Sequence, residues 1–169
     1  MKLTILLCSL LFAAIAAKDV YVEGATTVDT GANLTPSPCT LTSTENCQQG
    51  QVMLYAPTQI NGVTSGLLLT YYNDNWGTVC DDFVASALKN IAIVACRALG
   101  YAGGTEYDAN GASSGYPIVA DNAASGGSCT GNEALLNECP GLSFGSHNCA
   151  HSEDIGVRCV DTNPPPSPP

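Results

Sequence analysis

Basic residues are scarce in this sequence: five lysines and arginines stand against fifteen aspartates and glutamates in 169 residues. A chain this acidic does not bind nucleic acid or anionic membranes through its own field. It attracts cations instead, and through them anions. No C-x-x-C pair occurs and the cysteine spacings are irregular, which weighs against a zinc framework. The signatures of common catalysts are missing too: there is no G-x-S-x-G elbow, H-E-x-x-H helix or phosphate-binding loop. Asp121 and Glu133 are conceivable as an acid pair, but no cleft joining them is evident from the sequence. Catalysis is not expected. After Ile15 no stretch approaches the ~20 apolar residues that a membrane span needs.

What is present begins with the one long apolar run. Met1-Lys2 is followed by Leu3 to Ile15, and Ala14-Ile15-Ala16 offers small residues for cleavage, so residues 1–17 read as a secretory signal peptide. The mature chain is then expected to be secreted and extracellular. Without Lys2 it keeps four bases against fifteen acids, a net charge of −11. Nine cysteines less Cys8 leave eight, an even set in an oxidising compartment, and they read as a disulfide framework.

Three further parts separate by composition. Residues 18–50, rich in Thr, Asn, Ser and Pro, form an irregular arm in which Cys39 and Cys47 can close a short loop on themselves. The arm also carries a glycosylation sequon at Asn33. Residues 51–160 are the globular part. "QVMLY", "GLLLTYY" and "WGTVC" are short β-favouring runs punctuated by Pro57, Asn61-Gly62 and Gly66. The period then changes. Leu88, Ile91, Ala92, Ala95 and Leu99 fall at helical spacing, and Gly100 stands where a C-terminal cap belongs, predicting a helix over 86–99. A strand near Tyr116 to Ala120, a helical turn near Asn132 to Cys139 and a last strand at Gly156 to Val160 follow. Residues 161–169, "DTNPPPSPP", read as an extended Pro-rich tail.

"WGTVCDD", "VACRALGY", "CTGNEALLNEC" and "HNCAHSEDIGVRC", in that order and spacing, resemble the scavenger receptor cysteine-rich (SRCR) domain. The resemblance implies an α+β fold, a curved antiparallel sheet cradling one main helix, stapled by disulfides. It is closest to the six-cysteine subtype, which implies the pairs Cys80–Cys149, Cys96–Cys159 and Cys129–Cys139 and leaves Cys39–Cys47 as a private bond. The eight-cysteine subtype carries a further cysteine where this chain has Tyr101 and a partner for it near Ser65, and both are missing here.

The adjacent carboxylates of Asp81 and Asp82 need an explanation. From spacing alone they suit a solvated turn or a helix cap. The implied Cys80–Cys149 bond, however, draws Asn148, Glu153 and Asp154 to the same edge. Asp81, Asp82 and Glu153 match the family's first cation site, and hard oxygen donors of this kind suit calcium, with magnesium a poorer fit. Three carboxylates leave part of calcium's six to eight positions for water or a ligand group. A second candidate site aligns with Asp121, Asn122 and Asn148, although one of the family's aspartates is Asn122 here. Asp154 is assigned to structure, accepting backbone hydrogen bonds. His147 and His151, four apart, suggest zinc, but the intervening Cys149 makes a helical pair unsuitable and they read as loop residues. Trp76 reads as core; Leu142 and Phe144 suit either burial or contact with a partner.

The resemblance points to a secreted recognition module for a glycan, polymer or protein, bridged by calcium. The basic cluster of polyanion-binding relatives is missing, since Lys89, Arg97 and Arg158 are the domain's bases. The rival expectation is a structural subunit of an extracellular matrix, cell coat or filament, suggested by the Pro-rich tail and the Thr/Asn-rich arm.

Overall fold

A computed structural model describes residues 39–82, 85–109, 114–121 and 129–161. The signal segment, the arm before Cys39 with Asn33, Asn122 of the second candidate site and the tail from residue 162 lie outside the described residues.

The fold is α+β. Its strands are β1 (Val52–Ile60), β2 (Val63–Tyr72), β3 (Asn75–Val79), β4 (Gly103–Asp108), β5 (Ile118–Asp121), β6 (Ser143–Phe144) and β7 (Ile155–Val160). One helix, α1 (Ala85–Ala98), and two 3-10 turns, Leu136–Glu138 and His151–Glu153, complete the described elements. The sheet runs β4-β7-β2-β3-β5-β6, with β1 added on β2. It curves into a half-barrel around the helix.

β2 organises everything else. β1 takes one of its edges, pairing Val52 with Thr70 through to Ile60 with Val63. The other edge is shared end to end. β7 pairs with Val63–Leu67 and β3 with Leu69–Tyr72, so the sheet forks beside the middle of β2. One pair departs from the all-antiparallel expectation: β3 and β5 are parallel. The chain travels through α1 and β4 between them, and such a crossover, unlike a hairpin, delivers the second strand in the same direction.

Strand periodicity sorts side chains to two cores. Leu54 and Leu68 point to the helix side, where they pack with Ile91, Ala92, Val94, Ala95 and Val157. Met53, Leu67, Leu69, Tyr71 and Trp76 form a second cluster on the opposite face, against Cys39, Leu41 and Cys47 of the short disulfide loop. Trp76 is therefore core, and its indole N–H donates to the Thr40 carbonyl at 3.1 Å. Leu142 and Phe144 pack partly buried against the first core. The helix ends as its glycine predicts. Gly100, at φ 85°, donates to the Arg97 carbonyl, and Tyr101 N–H reaches the Cys96 carbonyl, both at 2.9 Å. This paired arrangement satisfies the last carbonyls of the helix. β5 starts at Ile118, later than the expected Tyr116. Pro117 can donate no ladder hydrogen bond, and it serves the sheet through its carbonyl, which accepts from Thr78 at 2.8 Å.

Four disulfides join Cys39–Cys47, Cys80–Cys149, Cys96–Cys159 and Cys129–Cys139. The second and third span 69 and 63 residues. In the chain-entropy account each contributes about 4 kcal/mol, against about 3 kcal/mol for the short loops.

Gly104 sits directly under the Cys96 sulfur and the Arg158 carbonyl, and an added Cβ would overlap both, whereas Gly103 faces open space. Gly104→Ala is expected to cost about 1–3 kcal/mol by overpacking, and Gly103→Ala to stay within about 0.5 kcal/mol. Urea unfolding of both variants with the disulfides intact measures the difference.

Candidate metal centre

The fork between β3 and β7 is where acidic side chains collect. β3 ends at Val79, and Cys80 bridges to Asp154 just before β7 begins. Cys80 N–H also donates to the Ala120 carbonyl at 2.9 Å, and Ala109 N–H to the Asp154 carbonyl at 3.0 Å. These bonds bring the ends of β3, β4 and β5 and the turn before β7 to one place. Asp81 and Asp82 follow β3, Asp108 ends β4, Asp121 ends β5 and Glu153 closes the 3-10 turn.

One oxygen each from Asp81, Asp82 and Glu153 lie within 4.8 Å of one another. Asp82 is exposed, while Asp81 and Glu153 are half-buried. Glu153 is held in place by its own turn: Ala150 N–H donates to its Oε2 at 2.6 Å. A carboxylate has about four lone-pair positions, so this bond orients the group and leaves it able to accept more. Burial raises the Asp81 carboxyl above its ordinary 3.8, and the charges of Glu153, Asp108 and Asp82 raise it further, against a lowering backbone hydrogen bond. Like charges at this range without a cation oppose ionisation. No lysine or arginine is among the groups that shift Asp81.

Asp121 belongs to the same neighbourhood. Its side chain and that of Asp82 lie within 4.8 Å of each other and of both sulfurs of Cys80–Cys149. Those sulfurs are bonded to each other and have no ligand role, so the donors of this second group are the two carboxylates. Asp121 is 3% exposed, and its Oδ1 finds no hydrogen-bond partner. An unsatisfied buried carboxylate oxygen is costly, and a cation is one group that removes the cost. Asn148 is exposed and places its Oδ1 3.8 Å from the Cys149 sulfur, which also lies 3.8 Å from Asp82 Oδ2. Asp121 and Asn148 of the second set thus approach the Cys80–Cys149 bond beside Asp82 of the first, while Asn122 lies outside the described residues.

Asp154 is structural, but not in the way expected. It is fully buried, and instead of a backbone donor its Oδ2 takes the His151 Nδ1 at 2.9 Å, while its Oδ1 has no hydrogen-bond partner. The 3-10 turn puts residues three apart on one side, which selects His151 and separates it from the exposed His147. Glu133 is equally committed elsewhere. It accepts from Thr130 N–H and Oγ1, Gly131 N–H and Asn132 N–H at 2.7 to 3.0 Å. Burial alone would raise its carboxyl, but these hydrogen bonds hold it below the ordinary value.

Residues 59–160 match the family model for the scavenger receptor cysteine-rich domain, which covers more than half of the chain. The chain belongs to the SRCR family. It is 42% identical over 100 residues to the mouse macrophage receptor MARCO, a stretch that is 59% of this chain and 18% of that protein. Human lysyl oxidase homolog 2 is 40% identical over 107 residues, 60% of this chain and 12% of that protein. This SRCR chain therefore spans less than a fifth of the curated relatives it matches. Among solved structures, the dimeric form of the mouse MARCO SRCR domain aligns with 39% identity and a TM-score of 0.50, over 61% of this chain and 93% of that one. Among the described residues no helix is long and apolar enough to cross a membrane.

The raised carboxyl of Asp81 has a thermodynamic consequence. A group that binds its proton more tightly folded than unfolded gives stability that is complete below the unfolded value and declines as pH rises through the folded one. In the presence of chelator, Asp81→Asn is expected to match wild type below about pH 3.8, the unfolded value, and to be the more stable protein at neutral pH. Urea midpoints across this range measure it; a less stable variant at neutral pH would contradict the electrostatic reading.

Proposed function

We propose that this SRCR domain is an extracellular recognition module that holds its partner through a calcium ion at the β3–β7 fork. The observation carrying this reading is the convergence of Asp81, Asp82 and Glu153 oxygens within 4.8 Å, from chain segments about 70 residues apart. Three carboxylates fill part of the six to eight oxygen positions that calcium takes, and an anionic or hydroxyl group of the partner completes the shell. Magnesium, with its stricter octahedron and firmly held waters, suits such an open and uneven donor set less well. The orphaned Asp121 Oδ1 supports a second cation beside the first, sharing Asp82 and reaching toward Asn148.

The partner is a glycan, polymer or protein offering oxygen ligands. Direct capture of polyanions by basic side chains is disfavoured by what the arginines already do. Arg97 donates to the Gly131 carbonyl at 2.7 Å, and Arg158 lies 4.2 Å above the Tyr107 ring.

Calorimetric titration with calcium is expected to give a dissociation constant of about 10⁻⁴–10⁻³ M, as extracellular modules show. Asp82→Ala removes a donor common to both groups and is expected to abolish the heat. Equal heats in the two proteins would remove the site. With the site established, binding to a glycan and protein array should be lost on adding chelator and regained with calcium.

A further inference from the structure

The disulfide loop at Cys39–Cys47 lies outside the residues matched by the family model, and it covers the sheet face that the helix leaves open. The cluster it packs against holds Leu67, Leu69, Tyr71 and Trp76, each no more than 4% exposed, and Tyr55, Ala109 and Tyr116 share in covering it. Trp76 and Tyr71 meet edge to face at 5.4 Å, and the indole N–H is spent on Thr40. The two ends of the loop are held differently. From Gln48 onward the backbone is tied into the domain: Gln48 N–H bonds Gln51 Oε1, Gly50 N–H the Tyr71 carbonyl, and Leu136 N–H the Gly50 carbonyl. At the other end, Cys39 is tied covalently to this anchored segment by its bond to Cys47.

The four disulfides also differ in accessibility. Cys80, Cys96 and Cys159 are completely buried, and Cys129 and Cys139 nearly so. Cys149 is half-buried, but its partner Cys80 is not accessible; Cys39–Cys47 alone among the four has both cysteines half-buried. Thiol–disulfide exchange needs a thiolate to reach a sulfur; at Cys149 the Asp82 and Asp121 carboxylates beside the bond repel that anion, so access and charge together select Cys39–Cys47 to react first.

We propose that Cys39–Cys47 is a reducible clasp, and that opening it lifts residues 39–46 from the Trp76 face while the rest of the domain stays folded. The reductant is a dithiol. Its thiolate attacks one sulfur of the pair to form a mixed disulfide, and its second thiol then displaces the protein thiolate. The products are two cysteine thiols and an oxidised dithiol, with two electrons and two protons transferred. Opening exposes an aromatic and aliphatic surface and frees eight residues of arm, which extended reach about 27 Å. This device is independent of the calcium reading.

Trp76 is the sole tryptophan and reports the event directly. Limited treatment of the full chain with a dithiol, followed by alkylation and peptide mapping, should label Cys39 and Cys47 before any other cysteine. In that species Trp76 emission should move to longer wavelength and its quenching by acrylamide should rise several-fold, with the far-ultraviolet circular dichroism retained. The Cys39→Ser/Cys47→Ser double variant should show the same emission without reductant. Labelling of another pair first, or an unshifted and shielded Trp76 in the double variant or in the species labelled at Cys39 and Cys47, overturns the proposal.

Discussion

Electrostatic repulsion at the β3–β7 fork is the constraint on which the site depends, and the Cys80–Cys149 bond is what holds the repelling groups there. Asp82, Asp121 and Asn148 all crowd its sulfurs, and Cys80 itself is completely buried at the bridge to Asp154. Without a covalent tie, mutual repulsion among Asp81, Asp82, Asp108 and Glu153 would favour separation of the turn at 151–153 from the end of β3. A small core has little spare stability with which to oppose this. The staple makes the strain affordable, and the proposed cation would relieve it.

The fork is itself a product of β2. Its ten residues are long enough to carry two partners on one edge, so the strands that meet there must diverge. β5 and β6 follow β3 on one side, and β4 follows β7 on the other. The gap between the two wings receives loop ends from both. Positions that bind ions need several oxygens from chain segments free of ladder hydrogen bonds, and strand ends around a fork supply them.

Much of this was legible in the sequence because it is local. The helix shows in the spacing of Ile91, Ala92, Ala95 and Leu99, its end in Gly100, and the strands in short β-favouring runs set off by Pro57, Asn61-Gly62 and Gly66. The SRCR motifs add long-range order that no local pattern carries. What stayed hidden depends on distance between segments. The spacing of Asp121 gives no sign that it faces Asp82, since the approach is set by the parallel β3–β5 pair, which periodicity does not distinguish from an antiparallel one. His151 and Asp154 are three apart, a signal present in the sequence, but its meaning depends on a single 3-10 turn. Tyr101 offers another case. Its hydroxyl makes a buried 3.1 Å hydrogen bond to Thr64, 37 residues away, which no local pattern announces.

The course of β2 has a mechanical implication as well. The described chain enters beside Trp76, at one pole of this strand, and leaves past Val160, which pairs with Val63 at the other. Ten residues of strand separate the poles by about 33 Å. Flanking segments are thereby anchored fore and aft, while the acidic notch opens on the flank between them. A load along the chain would run lengthwise down the central strand, and a guest in the notch would stand clear of the line of pull.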